Sequence, residues 1–244
     1  MNETRLTLVT GGNRGIGKET ARQLARFGMT VLLGSRDIER GKAAATELAA
    51  DGVQVTPIQI DVADQESVEA AATWVRHRHG RLDVLINNAG IVIAVPALEI
   101  TAAHIRDTFE VNVFGVVTTI RAMLPMLCRS TSARIVNVSS TTGSIALTAS
   151  GADLPGDAER RLAYTSAKAA LNMLTVQYAQ AFARQPELAH IRINSVSPGY
   201  TATDMNCFQG HRHVSEGARA IVALARQDDG PTGRFFDDRG ELPW

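Results

Sequence analysis

The most informative absences in this 244-residue sequence concern net charge and cysteine. Lysine plus arginine and aspartate plus glutamate both number 25, so the formal net charge is zero. The chain therefore lacks the basic excess with which many proteins bind nucleic acid or anionic membranes, and we expect neither partner. The two cysteines, Cys128 and Cys207, form no C-x-x-C pair. This argues against a disulfide framework or a zinc site.

Targeting and membrane-spanning patterns are also absent from the sequence. The first ten residues are a short polar tip followed by an apolar segment, without the basic and then apolar order of a secretory signal. No run of 18 or more purely apolar residues occurs, so the sequence predicts no membrane span. With the low cysteine content, these features predict a cytoplasmic protein.

Short β-rich segments alternate with longer helical patterns, and no linker, repeat or low-complexity tract interrupts them. We predict strands over 6–10, 30–33, 53–60, 82–86, 133–138, 191–196 and 233–236. We predict helices over 15–28, 38–50, 64–78, 102–127, 164–184 and 215–226. This alternation predicts one α/β domain over 1–244, a Rossmann-type doubly wound parallel sheet with helices on both faces. A cofactor half, 1–140, would precede a catalytic and substrate half, 141–244, which begins with an irregular loop over 141–161.

A glycine-rich turn follows the first predicted strand and opens a helix. Residues 10–17 read T-G-G-N-R-G-I-G, which has the spacing G-x-x-x-G-x-G. Glycine leaves room for a pyrophosphate, and the following helix directs free N–H groups and its positive dipole end at the phosphates. In this context the turn predicts a dinucleotide site rather than an ordinary tight loop. The residues assigned to it are Gly11, Asn13, Arg14, Gly15, Ile16 and Gly17.

The end of the second strand favours NADP(H) over NAD(H). NAD sites usually carry Asp or Glu there for the ribose 2′-OH, whereas this strand ends in Ser35 and Arg36. Arg36 and Arg14 together suit a 2′-phosphate, which guanidinium groups bind through charge-assisted hydrogen bonds. Two alternatives remain open: Arg36 is a solvated surface residue, or Asp37 is the ribose ligand. Asp37 is equally suited to cap the next helix.

Further polar residues lie at the ends of later strands, where open α/β sheets bind ligands. Asp61, followed by Val62, ends the third strand, where it would accept a hydrogen bond from an adenine amino group or cap the next helix. The fourth strand ends in Asn87-Asn88-Ala89-Gly90, and the fifth ends in Ser139-Ser140. Asn112 is an exception, because it lies within the long predicted helix 102–127.

Tyr164 and Lys168 are four residues apart and share one face of a predicted helix. A phenol has a pKa of about 10, but a neighbouring ammonium and a positively charged nicotinamide both favour the phenolate. Such a tyrosine can give a proton to a carbonyl oxygen or take one from an alcohol. Alone, the pair is more often an exposed helical pair. The polar strand ends that accompany it favour a catalytic role.

These motifs, in this order, resemble the short-chain dehydrogenase/reductase family over 6–236. The resemblance is carried by T-G-x-x-x-G-x-G, N-N-A-G, Y-x-x-x-K and P-G. It implies that Tyr164 is the general acid/base and that Lys168 binds the nicotinamide ribose and lowers the tyrosine pKa. It implies that Ser140, rather than Ser139, binds the substrate oxygen, and that Asn112 holds a water in a proton relay. The cofactor contacts it implies are Asn88, Ala89, Gly90, Tyr164, Lys168, Pro198, Gly199, Thr201 and Thr203.

The 24 positions from Ser140 to Tyr164 exceed the spacing in many family members. This resembles the carbonyl-reductase-like branch, in which an insertion precedes the tyrosine. The segment 230–236, G-P-T-G-R-F-F, and the final L-P-W also resemble that branch. There, such insertions can cover the helix face that other members use to form tetramers. The resemblance therefore implies a monomer or a small homo-oligomer.

The substrate side of the site is the least defined by the sequence. Apolar segments at 91–96, 145–147 and 205–208 are candidate linings for a small carbonyl or alcohol with a hydrophobic body. We expect 207–214, which contains His211 and His213, to be a mobile loop over the substrate. No third ligand accompanies the two histidines, so no metal site is predicted.

The combined prediction is an NADP(H)-dependent oxidoreductase of carbonyl reductase type, which interconverts a carbonyl and an alcohol by hydride transfer. One alternative is a non-catalytic dinucleotide sensor on the same fold, because fold does not fix function. Sugar-nucleotide epimerases and dehydratases share Y-x-x-x-K, but they are usually longer and have a different glycine spacing.

Overall fold

A seven-stranded parallel sheet forms the centre of the structure, a computed structural model that describes residues 4–244. Residues 1–3, at the beginning of the predicted polar tip, lie outside the described residues. The strand order is β3-β2-β1-β4-β5-β6-β7, and every neighbouring pair is parallel. The strands are β1 (Leu6–Val9), β2 (Thr30–Ser35), β3 (Thr56–Gln59), β4 (Val84–Asn87), β5 (Arg134–Val138), β6 (Arg192–Val196) and β7 (Phe235–Phe236). The order reverses between β1 and β4, which creates the crevice in which such sheets bind ligands.

Helices cover both faces of this sheet, because successive strand residues point to opposite sides. The helices are α1 (Gly15–Arg26), α2 (Ile38–Ala50), α3 (Gln65–Arg78), α4 (Ala102–Phe109), α5 (Gly115–Leu127), α6 (Ile145–Ala149), α7 (Leu162–Ala183) and α8 (Val214–Arg226). On β1, Leu8 belongs to the core beneath α3, α5 and α7, whereas Val9 belongs to the core beneath α1, α2 and α8. The predicted Rossmann-type, doubly wound fold is confirmed.

The helix predicted over 102–127 is interrupted by a π-helical segment, Glu110–Phe114, which joins α4 to α5. Such a segment widens the helix locally, and it is frequent at functional sites. Gly115 follows it, where an added Cβ atom would lie 2.8 Å from the backbone oxygen of Val62. The absent side chain lets α5 approach the end of β3 closely.

The segment Ala102–Leu127 is also long and apolar enough to cross a membrane by length and composition alone. Half of its most apolar window is buried inside the structure, where α5 packs on α3 and α4 packs on α7. A core helix can have the same length and apolar composition, so this property does not distinguish a core helix from a membrane-spanning helix. The sequence prediction considered only unbroken apolar runs and therefore did not single out this segment.

The irregular loop predicted over 141–161 contains regular structure. A 3-10 turn, Thr141–Gly143, follows β5, and α6 follows that turn. The Ser144 hydroxyl accepts the N–H of Leu147 and caps α6. The prediction of a wholly irregular loop is wrong because the glycines and prolines of the segment obscured this N-cap signal.

Two predicted strands are shorter than expected. The strand predicted over 53–60 covers only Thr56–Gln59 at one edge of the sheet, and the last strand covers only Phe235–Phe236. β3 contains Pro57, whose missing N–H suits an edge strand. Edge strands have one hydrogen-bonded neighbour, so fewer of their residues are fixed in the ladder.

Candidate active site

The glycine turn connects β1 to α1 through a close approach of backbone segments. Gly11 and Gly15 have φ values of 62° and 53°, in the left-handed region that side chains rarely adopt. An added Cβ atom on Gly17 would lie 2.4 Å from both the Asn88 side-chain nitrogen and the Gly11 carbonyl oxygen. The turn therefore requires glycine for its backbone angles at two positions and for space at the third.

The start of α1 is suited to a phosphate group. Its N-cap residue, Arg14, forms no side-chain capping hydrogen bond, and the first turn contains no acidic residue. The first N–H groups of a helix have no partner within the helix, and they carry the positive end of the helix dipole. The Arg14 guanidinium adds a cation at the same point. These features fit the phosphates of a dinucleotide.

The end of β4 is fixed directly to this turn. The Asn88 side-chain nitrogen donates to the carbonyl oxygens of Thr10 and Gly11, at 2.9 and 3.2 Å. The backbone N–H groups of Asn88 and Ala89 both donate to the Thr10 hydroxyl, at 3.0 and 3.1 Å. Sequence analysis assigned no role to Thr10, although its place between the strand and the first glycine was visible.

The residues expected to select the cofactor lie at the end of β2. Ser35 is buried and its hydroxyl donates to the Asp37 carbonyl oxygen at 2.7 Å, while Arg36 is exposed. Asp37 caps α2, because its carboxylate accepts the N–H groups of Glu39 and Arg40 at 3.0 and 3.2 Å. Of the two roles left open for Asp37, helix capping is the one that the structure contains.

Asp61 is half-buried and does not cap a helix. Its carboxylate accepts the N–H of Ala63 at 3.1 Å, and Asp64 is the N-cap of α3. The capping alternative for Asp61 is therefore wrong. The chain makes a turn after Asp61, and the cap of α3 is Asp64, three residues later. Its neighbour Val62 is buried under Gly115.

Three of the predicted catalytic residues converge beside Gly90. Lys168 is buried on α7, donates from Nζ to the Val138 carbonyl oxygen at 2.8 Å, and lies 5.5 Å from the centre of the Tyr164 ring. A Cβ atom on Gly90 would lie 3.7 Å from Lys168 Nζ and 3.2 Å from Asn112 Oδ1. The π-helical segment and α7 thus bring Asn112, Lys168 and Tyr164 to the ends of β4 and β5.

The Asn112 amide is fully engaged with one backbone unit. Its oxygen accepts the N–H of Ile91 and its nitrogen donates to the carbonyl oxygen of Ile91, both at 2.9 Å. This double contact holds the segment after Gly90 against the π-helical segment. Asn112 is wholly buried, and both of these side-chain hydrogen bonds are to backbone groups.

Burial dominates the protonation of the catalytic pair. It raises the pKa of Tyr164 from 10.0 to about 12, although a hydrogen bond with Ser140 lowers it, and it lowers the pKa of Lys168 from 10.5 to about 8. That Lys168 lowers the tyrosine pKa stays a prediction. Its ammonium donates to the Val138 carbonyl oxygen and lies 5.5 Å from the centre of the tyrosine ring.

Of the two adjacent serines, Ser140 is the one whose side chain lowers the pKa of Tyr164. Its hydroxyl lies 3.0 Å from that of Thr142 and accepts the Thr142 N–H at 3.3 Å, at the start of the 3-10 turn. The Ser139 hydroxyl is buried and finds no hydrogen-bond partner among the described residues. The choice of Ser140 over Ser139 stays a prediction.

Asn172, to which no sequence motif pointed, attaches the Ser140 turn to α7. Its side-chain nitrogen donates to the Gly143 carbonyl oxygen at 3.2 Å, and Asn172 is buried. A Cβ atom on Gly143 would lie only 2.7 Å from the Lys168 Cβ atom, so the turn rests directly on α7. The available signal was a polar residue one helical turn after Lys168, on the helix face that also carries Tyr164.

The segment after β6 contains the remaining predicted contacts. Pro198 and Gly199 begin it, and the Thr201 hydroxyl donates to the Pro198 carbonyl oxygen at 3.1 Å. Thr203 lies beside the glycine turn, because a Cβ atom on Gly15 would lie 3.4 Å from its methyl group.

The mobile loop expected over 207–214 is hydrogen-bonded to the rest of this segment. Arg212 pairs with Tyr200 and Ala202 through backbone hydrogen bonds of 3.1 and 2.9 Å, and its guanidinium binds Asp238. His213 caps α8, whereas the His211 ring contacts Tyr200. Among residues 4–244, no three His, Cys, Asp or Glu side chains are grouped as metal ligands.

A cleft of about 840 Å³ lies between the segments that follow β5 and β6. Its lining residues are Thr141, Leu147, Asp153, Leu154, Pro155, Gly199, Tyr200, His211, Arg212, Glu216, Asp237, Asp238, Arg239 and Leu242. Of the apolar linings expected at 91–96, 145–147 and 205–208, only Leu147 contributes. Ile145 and Phe208 are mostly exposed, and Phe208 lines a separate cavity beside the glycine turn. The cleft is therefore more charged than the sequence suggested.

Comparisons with known proteins agree on one family. The sequence profile of the short chain dehydrogenases matches residues 5–213. The chain is 35% identical to short-chain dehydrogenase anuI of Penicillium roqueforti (strain FM164), over 97% of this chain and 95% of that protein. It is 30% identical to carbonyl reductase [NADPH] 1 of Sus scrofa, over 100% and 95% of the two chains. The crystal structure of NADPH-bound carbonyl reductase from chicken fatty liver superposes with a TM-score of 0.84, at 28% identity over 99% of each chain.

Proposed function

The chain belongs to the short-chain dehydrogenase family, and from this membership we propose that it is an NADP(H)-dependent oxidoreductase of carbonyl reductase type. It would reduce an aldehyde or ketone to an alcohol, or catalyse the reverse reaction. The observation that carries the proposal is the convergence of Tyr164, Ser140, Lys168 and Asn112 at the carboxyl ends of β4 and β5. Residues of about 1–140 would hold the cofactor, and 141–244 would supply the catalytic serine, tyrosine and lysine.

Two kinds of observation support NADP(H) as the cofactor. The uncapped start of α1 fits a pyrophosphate, while Arg14 and Arg36 provide guanidinium groups for a 2′-phosphate. The pig relative is named for NADPH, and the chicken structure contains it. Asp37 does not weaken the assignment, because its carboxylate is engaged in capping α2.

NADP(H), when bound, supplies or accepts the hydride. The chain's own part in carbonyl reduction is to hold the substrate oxygen between the Ser140 hydroxyl and the Tyr164 phenol. Tyr164 donates its proton to that oxygen as negative charge develops there, and Ser140 stabilises the charge by a hydrogen bond. The resulting phenolate would be costly beside buried groups alone, because burial raises the pKa of Tyr164 to about 12.

Lys168 reduces this cost by placing a positive charge near the phenolate. Burial lowers its pKa to about 8, so most of the side chain remains protonated at pH 7. Asn112 keeps the segment after β4 in place through its two hydrogen bonds to Ile91, which lies next to Gly90 and hence to Lys168. In alcohol oxidation the same groups act in the reverse order, and Tyr164 takes the proton.

We also propose a cytoplasmic monomer or small homo-oligomer. Cys128 and Cys207 are free thiols, as is usual in a reducing compartment. The inserted segment is attached to the region after β4, because the Ala97 N–H donates to the Glu159 carbonyl oxygen at 2.8 Å. Light scattering of the purified protein tests the oligomeric state; a large assembly of many copies would contradict it.

The decisive test compares the wild type with Tyr164→Phe. NADPH consumption at 340 nm is followed with a panel of aldehydes and ketones, and NADPH binding is titrated by fluorescence. We expect the variant to lose about 10³-fold or more in kcat, because it lacks the transferable proton, while NADPH binding is retained. Near-normal turnover in Tyr164→Phe would refute the role of Tyr164. Tight NADPH binding by the wild type without turnover of any carbonyl or alcohol would instead favour a dinucleotide sensor.

A further inference from the structure

An ion pair joins the segment after β6 to the glycine turn. The guanidinium of Arg14, at the start of α1, binds the carboxylate of Asp204. Asp204 is the first residue of a 3-10 turn, Asp204–Asn206. The pair is 190 positions apart in sequence, and sequence analysis assigned no role to Asp204.

The Asp204 carboxylate also lies beside the uncapped start of α1. A Cβ atom on Gly15 would lie 3.9 Å from Asp204 Oδ1. A helix N-terminus with a neighbouring arginine is an arrangement that attracts anions. Asp204 is thus an internal anion paired with Arg14, one of the two guanidinium groups that we propose for binding the 2′-phosphate.

The backbone around Asp204 is well constrained. The Asn206 side chain accepts the Thr203 N–H at 3.1 Å and donates to the Thr201 carbonyl oxygen at 2.9 Å. The Phe208 N–H donates to the Thr203 carbonyl oxygen at 2.8 Å. These bonds hold the turn in one conformation on either side of Asp204, so the position of its carboxylate follows from the local fold.

Arg14, Lys18 and Arg22 line a cavity of about 450 Å³ between α1 and this segment. Lys18 is paired with Glu47, and Arg22 is paired with Glu19. Asp204 is the carboxylate that pairs with Arg14. Removing the Asp204 charge would therefore leave Arg14 without this partner. Lys18 and Arg22 would keep theirs.

We propose that Asp204 tunes cofactor selectivity by competing with the 2′-phosphate of NADP(H) for Arg14. The carboxylate and a phosphate dianion repel each other and cannot both form bidentate hydrogen bonds with one guanidinium. The pair is largely solvent-exposed, with Arg14 63% and Asp204 37% accessible, so its disruption by an incoming phosphate costs little. NADH carries no 2′-phosphate and leaves the pair intact. This inference rests on the proposed NADP(H) function and concerns the same site.

The test measures the Kd values of NADPH and NADH by fluorescence for the wild type, Asp204→Asn and Glu47→Gln. We expect Asp204→Asn to bind NADPH about 5-fold more tightly, while its Kd for NADH changes less than about 2-fold. Glu47→Gln is the matched control, because it removes the same charge from an ion pair with Lys18, a neighbouring cation on α1. It should change neither Kd. The gain in Asp204→Asn should shrink at high salt, which screens exposed charges.

The outcomes separate this inference from the proposed function. Unchanged or weaker NADPH binding in Asp204→Asn would overturn the competition, and so would an equal gain for NADPH and NADH. Arg14→Gln provides the second arm. If it leaves the NADPH Kd unchanged, the assignment of Arg14 to the 2′-phosphate fails. If it weakens NADPH binding and Asp204→Asn brings no gain, only the competition fails. Asp204→Ser replaces Asp204→Asn if circular dichroism shows that the latter is misfolded.

Discussion

The glycine turn and the catalytic cluster lie at the same edge of the sheet but are built in different ways. The turn is one continuous stretch, 11–17, whose working groups are backbone N–H groups and the space that missing side chains leave. The cluster is made of side chains from the π-helical segment, the end of β5 and α7. Its tyrosine and lysine have pKa values shifted mainly by burial. The glycine turn is thus a local motif, whereas the catalytic cluster is assembled from distant parts of the sequence, and both lie at the same crevice of the sheet.

A buried chain of hydrogen bonds joins three strands of the sheet to α7. Asn87 donates to Asn137, Asn137 donates to Thr175, and Thr175 lies within hydrogen-bond distance of Ser195, each at 2.9 Å. These residues belong to β4, β5, α7 and β6, so the chain fixes the position of α7 on the sheet. The glycine turn relies on close backbone packing, whereas α7, which carries Tyr164 and Lys168, is attached to the sheet by hydrogen bonds between buried side chains.

The largest effect that separates the two regions is expected for Gly17→Ala. The new methyl group would lie 2.4 Å from Asn88 and from the Gly11 carbonyl oxygen, so the turn must shift. We expect NADPH affinity to fall about 100-fold, which corresponds to about 2.7 kcal/mol. We expect the free energy of unfolding to fall by about 1–3 kcal/mol, as for other overpacked sites.

Gly41→Ala is the matched control for Gly17→Ala. Gly41 also lies inside a helix, but the nearest atom to its added Cβ would be the Ser35 Cβ at 3.2 Å. We expect a small change in stability and unchanged NADPH binding. If both variants behave alike, the glycine turn does not depend on the close approach of α1 to Gly11 and Asn88.

The next effect belongs to the catalytic cluster and appears as a pH dependence of stability. Burial lowers the pKa of Lys168 from 10.5 to about 8. Between these values the unfolded chain binds a proton that the folded protein has released, so the free energy of unfolding rises with pH. Below pH 8 both states are protonated and the full cost of burying the ammonium remains. The difference amounts to about 3 kcal/mol.

Urea unfolding at pH values from 7 to 10 checks this prediction. Lys168→Met should lack the rise, so the stability difference between wild type and variant should change with pH. Tyr164 acts in the opposite sense at higher pH, because burial raises its pKa from 10.0 to about 12 and stability falls through that window. Arg14→Gln changes a charge at the glycine turn and should keep the wild-type rise. If the free energy of unfolding changes with pH in the same way for the wild type and Lys168→Met, burial does not lower the pKa of Lys168.

These differences explain how much could be predicted from the sequence. The sheet and the glycine turn depend on patterns within a few residues: strand alternation, G-x-x-x-G-x-G and the helix that follows. The π-helical interruption and α6 were missed, because the first depends on how Asn112 contacts Ile91, and the second on a single capping serine in a glycine-rich stretch. The roles of the individual site residues stay predictions.

Contacts between distant segments were the hardest to predict. Arg14 with Asp204 and Arg212 with Asp238 each join residues that no local pattern relates. The charged lining of the cleft has the same origin, because it combines residues that follow β5, β6 and β7. Apolar sequence segments near the motifs therefore gave a poor forecast of which side chains face the cleft.

A smaller effect is expected for Asn172→Leu, which tests how the cluster is held together. Leucine is similar in size but cannot donate to the Gly143 carbonyl oxygen, so the turn that begins at Ser140 loses its link to α7. We expect kcat to fall about 10-fold, or about 1.4 kcal/mol, while the NADPH Kd is unchanged. Steady-state kinetics and a fluorescence titration measure the two effects.

Thr175→Val provides the control for Asn172→Leu. Thr175 is buried on the same helix and would also lose a hydrogen-bonding group, but it contacts Asn137 and Ser195 rather than the Ser140 turn. We expect it to lower stability by about 1–3 kcal/mol and to leave kcat within about 2-fold. An equal loss of kcat in both variants would mean that Asn172 acts through general stability and does not position Ser140.

The smallest effect concerns Asp37, at the edge of the glycine-turn region. Asp37→Ala removes the cap of α2 and should lower the free energy of unfolding by about 1 kcal/mol. Asp64→Ala removes the corresponding cap of α3 and should cost a similar amount. Both variants should keep the wild-type ratio of the NADPH and NADH Kd values. A selective loss of NADH affinity in Asp37→Ala would show that the carboxylate also serves the ribose 2′-OH, because a capping role alone treats the two cofactors equally.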